Sequence, residues 1–296
     1  MSKANRNRQQ AARERIAAQR AAARKAEIRN RTLLAGGSVL VVVAIVVAFI
    51  VIKAAGGSPK AAAGSSTGTP LPASVNRQIT GVPVSTLAKV GAGTWYPATI
   101  EPITGTALSS GGKPEVLYVG AEYCPFCATE RWAITVALSR FGTFSPLRGI
   151  HSSPTDTPAS IPTLTFYKST YSSRYLTFTP VEVEKVDRSP LQQLTAQQQA
   201  LQATYDVPPR TSTAGSIPFV DFGNKYMISG ATYDYAVLQG KTWAQIAAAL
   251  QDPSTPIAKG ALGSANMLTA AICKTTGNQP ASVCAAAPIP ALQAKL

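Results

Sequence analysis

The chain has 296 residues, with 28 lysines and arginines against 14 aspartates and glutamates, and its formal net charge is +14. This length is too great for one small domain. The basic excess does not by itself indicate a nucleic-acid-binding protein, because ten of the basic residues and only two of the acidic ones lie in residues 1–31. We interpret this segment as a solvated basic tail and expect no nucleic-acid partner.

An apolar segment directly follows the basic tail. Residues 32–52, TLLAGGSVLVVVAIVVAFIVI, contain no charged residue, and about 20 apolar residues in a helix span the hydrocarbon core of a bilayer. The pattern predicts a single transmembrane helix. A cleaved signal peptide is the alternative, although its apolar core is usually only about 7–15 residues long. The basic tail favours a cytoplasmic N-terminus, so we expect a single-pass protein of the cell membrane whose C-terminal part is extracytoplasmic.

The composition of residues 53–74 is typical of a flexible linker. Nearly all of these residues are Ala, Gly, Ser, Thr or Pro, and such a segment cannot bury a hydrophobic core. From residue 75 the pattern becomes globular, so we predict an extracytoplasmic domain over residues 75–296. Within this domain we expect an inserted region at about 155–212 and a C-terminal extension at about 254–296.

The predicted elements of this domain begin with a strand and a helix on either side of a cysteine pair. Residues 115–121, EVLYVGA, form a short apolar run and predict a buried strand. Residues 125–141 predict a helix with one apolar stripe, and Gly142 is placed to end it. Cys124 and Cys127 therefore lie where a strand gives way to a helix.

Further strands and helices are predicted downstream. The strand-like segments are residues 147–153, 163–169 and 174–183. Residues 189–205 predict a helix with Ser189 as its N-cap. Gly223 and Asn224, between two apolar runs, are typical of a two-residue hairpin turn, and Thr242 begins a capping-box pattern at the start of the next helix.

The position of the cysteine pair favours a reactive thiolate. Cys124 would cap the helix and Cys127 would occupy its third position, so the two sulfurs can meet within one turn. Unpaired N–H groups and the positive end of the helix dipole stabilise a thiolate at this terminus. We therefore assign Cys124 as the attacking residue and Cys127 as the residue that resolves the mixed disulfide. A structural disulfide and a binding module without redox activity are the alternatives.

The other two cysteines predict a structural disulfide. All four cysteines follow the apolar segment, in a compartment that we expect to be oxidising. Cys273 ends a helix-like stretch and a short loop leads back to Cys284; a second redox relay is the alternative. Zinc would need four ligands, and the spacing of this pair does not match the usual zinc motifs. We expect no metal and no cofactor.

The motifs of this domain resemble those of the thioredoxin superfamily. VLYVGAEYCPFC is similar to its strand–CxxC–helix unit, and SIPFVDFGNKYMISG is similar to its cis-proline and hairpin. With the predicted anchor and linker, the chain resembles a family of membrane-anchored thioredoxin-like proteins of bacteria and archaea whose function is unknown. The resemblance implies an α/β fold class: a thioredoxin-like domain with an inserted region, preceded by a single N-terminal transmembrane helix.

The resemblance also implies roles for individual residues. Pro218 would follow a cis peptide bond and pack against the cysteine pair as part of the catalytic site, and Ile217 and Phe126 would bind substrate. Tyr118 stands where thioredoxins carry a buried acid, a departure that puts the acceptor for the proton of the resolving thiol in doubt. Glu122 is close in sequence, but we expect it to face solvent.

Two functions are compatible with these observations. The first is a membrane-tethered, extracytoplasmic thiol–disulfide oxidoreductase that acts on exported protein thiols and disulfides, with a redox partner in the membrane. The second is a non-catalytic thioredoxin-like module that binds extracytoplasmic proteins. The intact CxxC favours the first, whereas the missing acid and the insertion favour the second. His151, the only histidine, is expected to have a surface or structural role, and a place near the active face is the alternative.

Overall fold

The computed structural model describes residues 68–96, 100–145 and 147–296. The predicted basic tail (1–31), the predicted transmembrane helix (32–52) and most of the predicted linker lie outside the described residues. Within the described part of the chain, no helix is both long enough and apolar enough to cross a membrane.

The predicted fold class, an α/β thioredoxin-like domain preceded by a single transmembrane helix, is wrong. The described residues form a mixed α/β domain with three sheets and, within those ranges, eight α-helices. The longest of these helices has 20 residues (Pro256–Thr275), but Lys259, Asn266 and Lys274 interrupt its apolar sequence, and most of its residues are buried in the domain. Its apolar residues are therefore explained by packing within the protein.

The strands and helices are numbered in chain order. The strands are β1 (Thr69–Pro70), β2 (Ile100–Pro102), β3 (Ser109–Ser110), β4 (Lys113–Gly120), β5 (Gly142–Phe144), β6 (Arg148–His151), β7 (Pro162–Thr165), β8 (Tyr171–Ser173), β9 (Thr177–Glu182), β10 (Phe219–Phe222) and β11 (Tyr226–Ser229). The helices are α1 (Ala73–Thr80), α2 (Val84–Val90), α3 (Pro125–Ser139), α4 (Ala196–Tyr205), α5 (Trp243–Ala249), α6 (Pro256–Thr275), α7 (Ala281–Cys284) and α8 (Ile289–Gln293). A 3-10 turn (Tyr235–Leu238) precedes α5.

Strand β4 lies inside the largest sheet, whose order is β2-β11-β10-β4-β3. It pairs antiparallel with β10 and parallel with β9. Its side chains alternate between two cores: Val116 and Tyr118 belong to the large core that contains α3 and α6, whereas Leu117 and Val119 belong to a smaller one. Because both faces of this strand are covered, its second half is continuously apolar.

Helix α3 begins where the sequence predicts and buries most of its residues. Pro125 suits the first turn, where its missing N–H leaves no hydrogen bond unmade. The prediction that Gly142 ends the helix is wrong, because Gly142 opens β5 and pairs with Ser173. A Cβ on Gly142 would lie 2.2 Å from the carbonyl oxygen of Ser172. The close approach of two strands therefore requires glycine here.

The helix predicted to begin at Ser189 begins later. Helix α4 has Thr195 as its N-cap, and Gln198 completes a capping box with it. The segment before it follows β9 instead, since the N–H of Gln192 donates to the carbonyl of Glu182 at 3.0 Å. Backbone groups that are bonded to a neighbouring strand cannot begin a helix, although the local sequence pattern is that of a helix start.

Two local predictions are confirmed. Gly223 and Asn224 have φ angles of 66° and 56° and connect β10 to β11, as the Gly-Asn pair predicts. Helix α5 has Thr242 as its N-cap, with the reciprocal hydrogen bond from the Thr242 N–H to Gln245. Both features depend on residues within a few positions of each other.

Candidate functional site

The cysteine pair lies at the junction of β4 and α3. Cys124 caps the N-terminus of α3, and its N–H donates to the carbonyl of Ala121 at 3.2 Å. The Cys127 N–H donates to the sulfur of Cys124 at 3.3 Å, so this sulfur takes the place of the usual capping oxygen. The helix therefore directs its free N–H groups and the positive end of its dipole at Cys124.

The two thiols have opposite electrostatic environments. Both are free, with Cys124 4% exposed and Cys127 fully buried. A hydrogen bond from the Cys127 thiol lowers the pKa of Cys124, and the Cys127 N–H and the charge of Arg131 lower it further. Burial raises the pKa of Cys127 well above its ordinary value, and its bond to Cys124 adds to this rise. Cys124 is thus the sulfur that ionises and Cys127 the one that keeps its proton.

The peptide bond between Ile217 and Pro218 is cis, and it lies next to the cysteine pair. The Cys124 thiol donates to the carbonyl oxygen of Ile217 across 3.7 Å. The Ile217 side chain packs against a small buried cluster of Ala121, Cys124 and Cys127. The structure thus brings together residues that are 93 positions apart in sequence.

A groove of about 410 Å³ opens beside this cluster. Phe126 and Ile217 both line it, together with Arg210, Ser216 and Ser229. Phe126 is 43% exposed, which is unusual for so large an apolar side chain. The two residues predicted to bind substrate therefore face one surface groove, and their contact with a substrate stays a prediction.

A buried ion pair beneath the cysteines was not predicted from the sequence. Arg131 Nε donates to Glu182 Oε1 at 2.9 Å, and Arg131 Nη2 donates to Glu182 Oε2 at 2.7 Å. Both side chains are completely buried. Arg131 follows Cys127 by four positions and so lies on the same helix face. An arginine next to Glu130 inside a largely apolar helix was the available signal, but no local pattern identifies its partner.

Tyr118 and Glu122 are both buried near this ion pair. Tyr118 packs its ring edge-to-face on Phe166, and the Arg131 guanidinium lies 5.9 Å from its ring centroid. The expectation that Glu122 faces solvent is wrong. Its side chain is fully buried and accepts a hydrogen bond from the Thr165 hydroxyl at 2.7 Å. Burial raises the pKa of Glu122 to about 7.

The predicted insertion reaches the cysteine pair. Val183 packs against the cluster that contains Cys124 and Cys127. The guanidinium of Arg188 lies 3.8 Å from the ring centroid of Tyr123, the residue before Cys124. The predicted insertion thus contributes Val183 to the packing around Cys124, together with Tyr123 and Ile217 from outside it.

His151 lies elsewhere, at the end of β6. Its ring centroid is 4.7 Å from that of Trp243. Both side chains line a groove of about 470 Å³ that also contains Gly149 and Val186. The lining residues of this groove differ from those of the groove beside Phe126.

Cys273 and Cys284 are joined by a disulfide between the last turn of α6 and α7. The carboxylates and thiols of the molecule do not assemble into a metal site: in the ranges that the structure covers, no group of three or more His, Cys, Asp or Glu side chains could hold an ion.

Comparison with known proteins places the chain in a family. The profile of a family described as "Domain of unknown function (DUF929)" matches residues 100–274, which is more than half of the chain. No curated protein and no solved structure matches it. The matched residues include the cysteine pair, the buried ion pair and the cis-proline hairpin. The chain therefore belongs to the DUF929 family.

Proposed function

We propose that the protein is a thiol–disulfide oxidoreductase that acts through Cys124 and Cys127. One observation carries the proposal: the Cys124 sulfur accepts a helix N-terminal N–H at 3.3 Å and lies 3.7 Å from the carbonyl of Ile217. A thiolate at a helix N-terminus is the nucleophile of disulfide exchange.

The exchange proceeds in two displacements. In the reducing direction, the Cys124 thiolate attacks one sulfur of a substrate disulfide, a mixed disulfide forms, and the other substrate sulfur leaves as a thiolate. Cys127 then attacks the Cys124 sulfur and releases the second substrate sulfur. The proton of Cys127 ends on a released substrate sulfur, and two electrons pass from the protein dithiol to the substrate. The oxidising direction is the reverse of these steps.

The proposed substrates are thiols and disulfides of exported proteins, with a membrane redox partner to regenerate the pair. The disulfide between Cys273 and Cys284 supports an oxidising, extracytoplasmic location. The groove beside Phe126 and Ile217 is the proposed place for the substrate segment that carries the cysteine, because it is the groove that these neighbours of Cys124 line.

A non-catalytic binding module is the second candidate, and one observation favours it. Cys124 is only 4% exposed and Cys127 is fully buried, so a substrate disulfide must displace part of the cover formed by Tyr123, Val183 and Ile217, which pack against the pair. In this second function the same groove binds a partner protein and the cysteines have no turnover.

Thiol trapping after graded reduction tests the proposal. The oxidised protein is treated with a mild reductant, its free thiols are alkylated, and the modified cysteines are located by mass spectrometry. We expect Cys124 and Cys127 to be reduced first while the disulfide between Cys273 and Cys284 persists. Equal resistance of the two pairs, together with no turnover of a small disulfide substrate, would establish the binding module instead.

A further inference from the structure

Arg131 carries a buried guanidinium that is connected to the cysteine pair through a shared carbonyl. It sits on α3 one turn after Cys127, and its side chain has no exposed surface. Glu182 accepts two hydrogen bonds from it, at 2.9 and 2.7 Å. Placing an arginine in a protein interior is costly, and well-packed apolar residues often replace such pairs without loss of stability. The ion pair is therefore not explained by stability alone.

A shared carbonyl links this guanidinium to Cys124. Arg131 Nη2 donates to the oxygen of Ala121 at 2.7 Å, and the same oxygen accepts the N–H of Cys124 at 3.2 Å. Ala121 also packs directly against Cys124 and Cys127. The position of the arginine is thus tied to the turn that places the attacking sulfur.

One end of the guanidinium is left free. Arg131 Nη1 is buried and has no hydrogen-bond partner among the described residues, and the same holds for the hydroxyl of Tyr118. An unpaired buried donor is costly unless it acts in another state of the protein. In disulfide exchange that other state exists, because negative charge forms on one cysteine sulfur and then on the other.

We propose that Arg131 is a positioning residue for the disulfide exchange: its buried guanidinium, held by Glu182 and the Ala121 carbonyl, stabilises the sulfur anions of Cys124 and Cys127. This inference rests on the proposed function. The charge favours the thiolate of Cys124 before attack and the thiolate that forms on Cys127 when its proton leaves for a released substrate sulfur.

The charged and titratable groups around Arg131 determine the sign of the effect. Glu182 on β9 is its ion-pair partner, Tyr118 on β4 lies against it, and Glu122 in the preceding turn interacts with both Arg131 and Glu182. Lys185, after β9, also acts on Glu122. Removing the Glu182 charge therefore leaves more positive potential at the sulfurs, and removing the Arg131 charge leaves less.

Three variants of the full chain separate this electrostatic role from a structural one. Arg131→Met alone would bury Glu182 without a partner and destabilise the fold, so it is replaced by the neutral double variant Arg131→Met/Glu182→Gln. Glu182→Gln alone keeps the cation and also an amide oxygen that can still accept a hydrogen bond from Arg131, and Arg131→Lys is the conservative control. Folding of each is checked by circular dichroism, and the titration midpoint of Cys124 is measured by the ultraviolet absorbance of its thiolate.

We expect shifts of opposite sign. The midpoint should rise in the double variant, because the Arg131 charge that it loses lowers the pKa of Cys124 and the simultaneous loss of the Glu182 charge offsets only part of that change. It should fall in Glu182→Gln, while Arg131→Lys stays close to the wild type. Unchanged midpoints in folded variants, or shifts in one direction for all three, would overturn the role of Arg131. If the double variant does not fold, the other two variants test the role of Arg131. A lower midpoint in Glu182→Gln and an unchanged midpoint in Arg131→Lys would support it. A wild-type chain that exchanges no disulfide would reject the proposed function instead, since the midpoints are measured without a substrate.

Discussion

The sulfur of Cys124 lies 3.7 Å from the carbonyl oxygen of Ile217, although 93 positions separate the two residues in the chain. One belongs to the start of a helix and the other to the loop that leads into the β10–β11 hairpin. This contact joins the proposed nucleophile to a residue that lines the groove beside Phe126.

The first prediction concerns substrate trapping. In Cys127→Ser the resolving thiol is absent, so a mixed disulfide between Cys124 and a substrate cannot be released by the second displacement. We expect disulfide-linked adducts of exported proteins on non-reducing gels, and these should disappear on reduction. Cys124→Ser is the matched control and should form none. If Cys127→Ser forms no adducts either, exchange through Cys124 is excluded.

The second prediction concerns the pH dependence of alkylation. The hydrogen bond from the Cys127 thiol is the largest cause that lowers the pKa of Cys124. The rate of alkylation of Cys124 should therefore reach half its maximum at a lower pH than for an ordinary cysteine. Cys127→Ala removes this bond and should move the midpoint upward by roughly 1 unit. The rate is followed by mass spectrometry against pH, and a midpoint that is the same in both proteins would contradict the assignment.

The third prediction concerns Glu130, a buried acid on α3. Its carboxylate accepts the N–H of Thr232 at 2.8 Å and the Thr232 hydroxyl, with Ser264 close by. Burial raises the pKa of Glu130 to about 7, so between the ordinary pKa of glutamate and about 7 the folded state holds a proton that the unfolded state has lost. The free energy of unfolding should therefore fall as the pH rises through this window, by on the order of 3 kcal/mol.

Urea denaturation at several pH values checks this prediction. Glu130→Gln cannot ionise, so its free energy of unfolding should depend less on pH than that of the wild type between about pH 4.5 and 7. Glu122 has a raised pKa for the same reason and should leave part of the dependence in place. Parallel curves for wild type and variant would show that Glu130 titrates normally.

The fourth prediction concerns a close approach between α6 and the loop after α2. A Cβ on Gly263 would lie 2.3 Å from the carbonyl oxygen of Ala92 and 2.9 Å from the Cα of Gly93. In an open helix, Gly→Ala stabilises by about 1 kcal/mol. Here the backbone must shift, so we expect Gly263→Ala to lower the free energy of unfolding by roughly 1–3 kcal/mol. Urea denaturation gives the sign of this change in the free energy of unfolding. A stabilised variant would contradict the close approach of the two backbones.

The fifth prediction concerns the disulfide between Cys273 and Cys284. It closes a loop with a sequence separation of 11, and closing a loop of this size stabilises the folded state by about 3 kcal/mol in the chain-entropy treatment. Replacing both residues with serine should lower the free energy of unfolding by this amount. In proteins whose Cys124 and Cys127 are already reduced, breaking this disulfide in the wild type should have the same effect, and further reductant should leave the double variant unchanged.

Local interactions explain which structural predictions succeeded. The turn at Gly223 and Asn224 and the capping box of Thr242 and Gln245 form between residues at most three positions apart. The start of α3 at Pro125 is equally local, because a proline in the first turn and a cysteine at the cap position depend only on their neighbours. Such features can be predicted without knowledge of the rest of the chain.

Distant partners explain the failures. Ser189 has the sequence context of a helix start, but the backbone nearby pairs with the end of β9. Gly142 was expected to end a helix, but it lies in β5, where a side chain would collide with the carbonyl oxygen of Ser172 in β8. Glu122 was expected in solvent, but its side chain is buried and accepts a hydrogen bond from the Thr165 hydroxyl. In each case the contact that determines the local structure comes from a residue more than nine positions away in the chain.

The amino-acid sequence by itself determined that two cysteines lie one helical turn apart at the boundary of a strand and a helix, since residue spacing and capping chemistry are local. Only the tertiary structure decided what surrounds them. Arg131 and Glu182 are 51 positions apart, and no periodicity links an arginine on a helix to a glutamate at the end of a parallel strand. The environment of a buried charge is set by every segment that packs around it, and that assembly exists only in the folded chain.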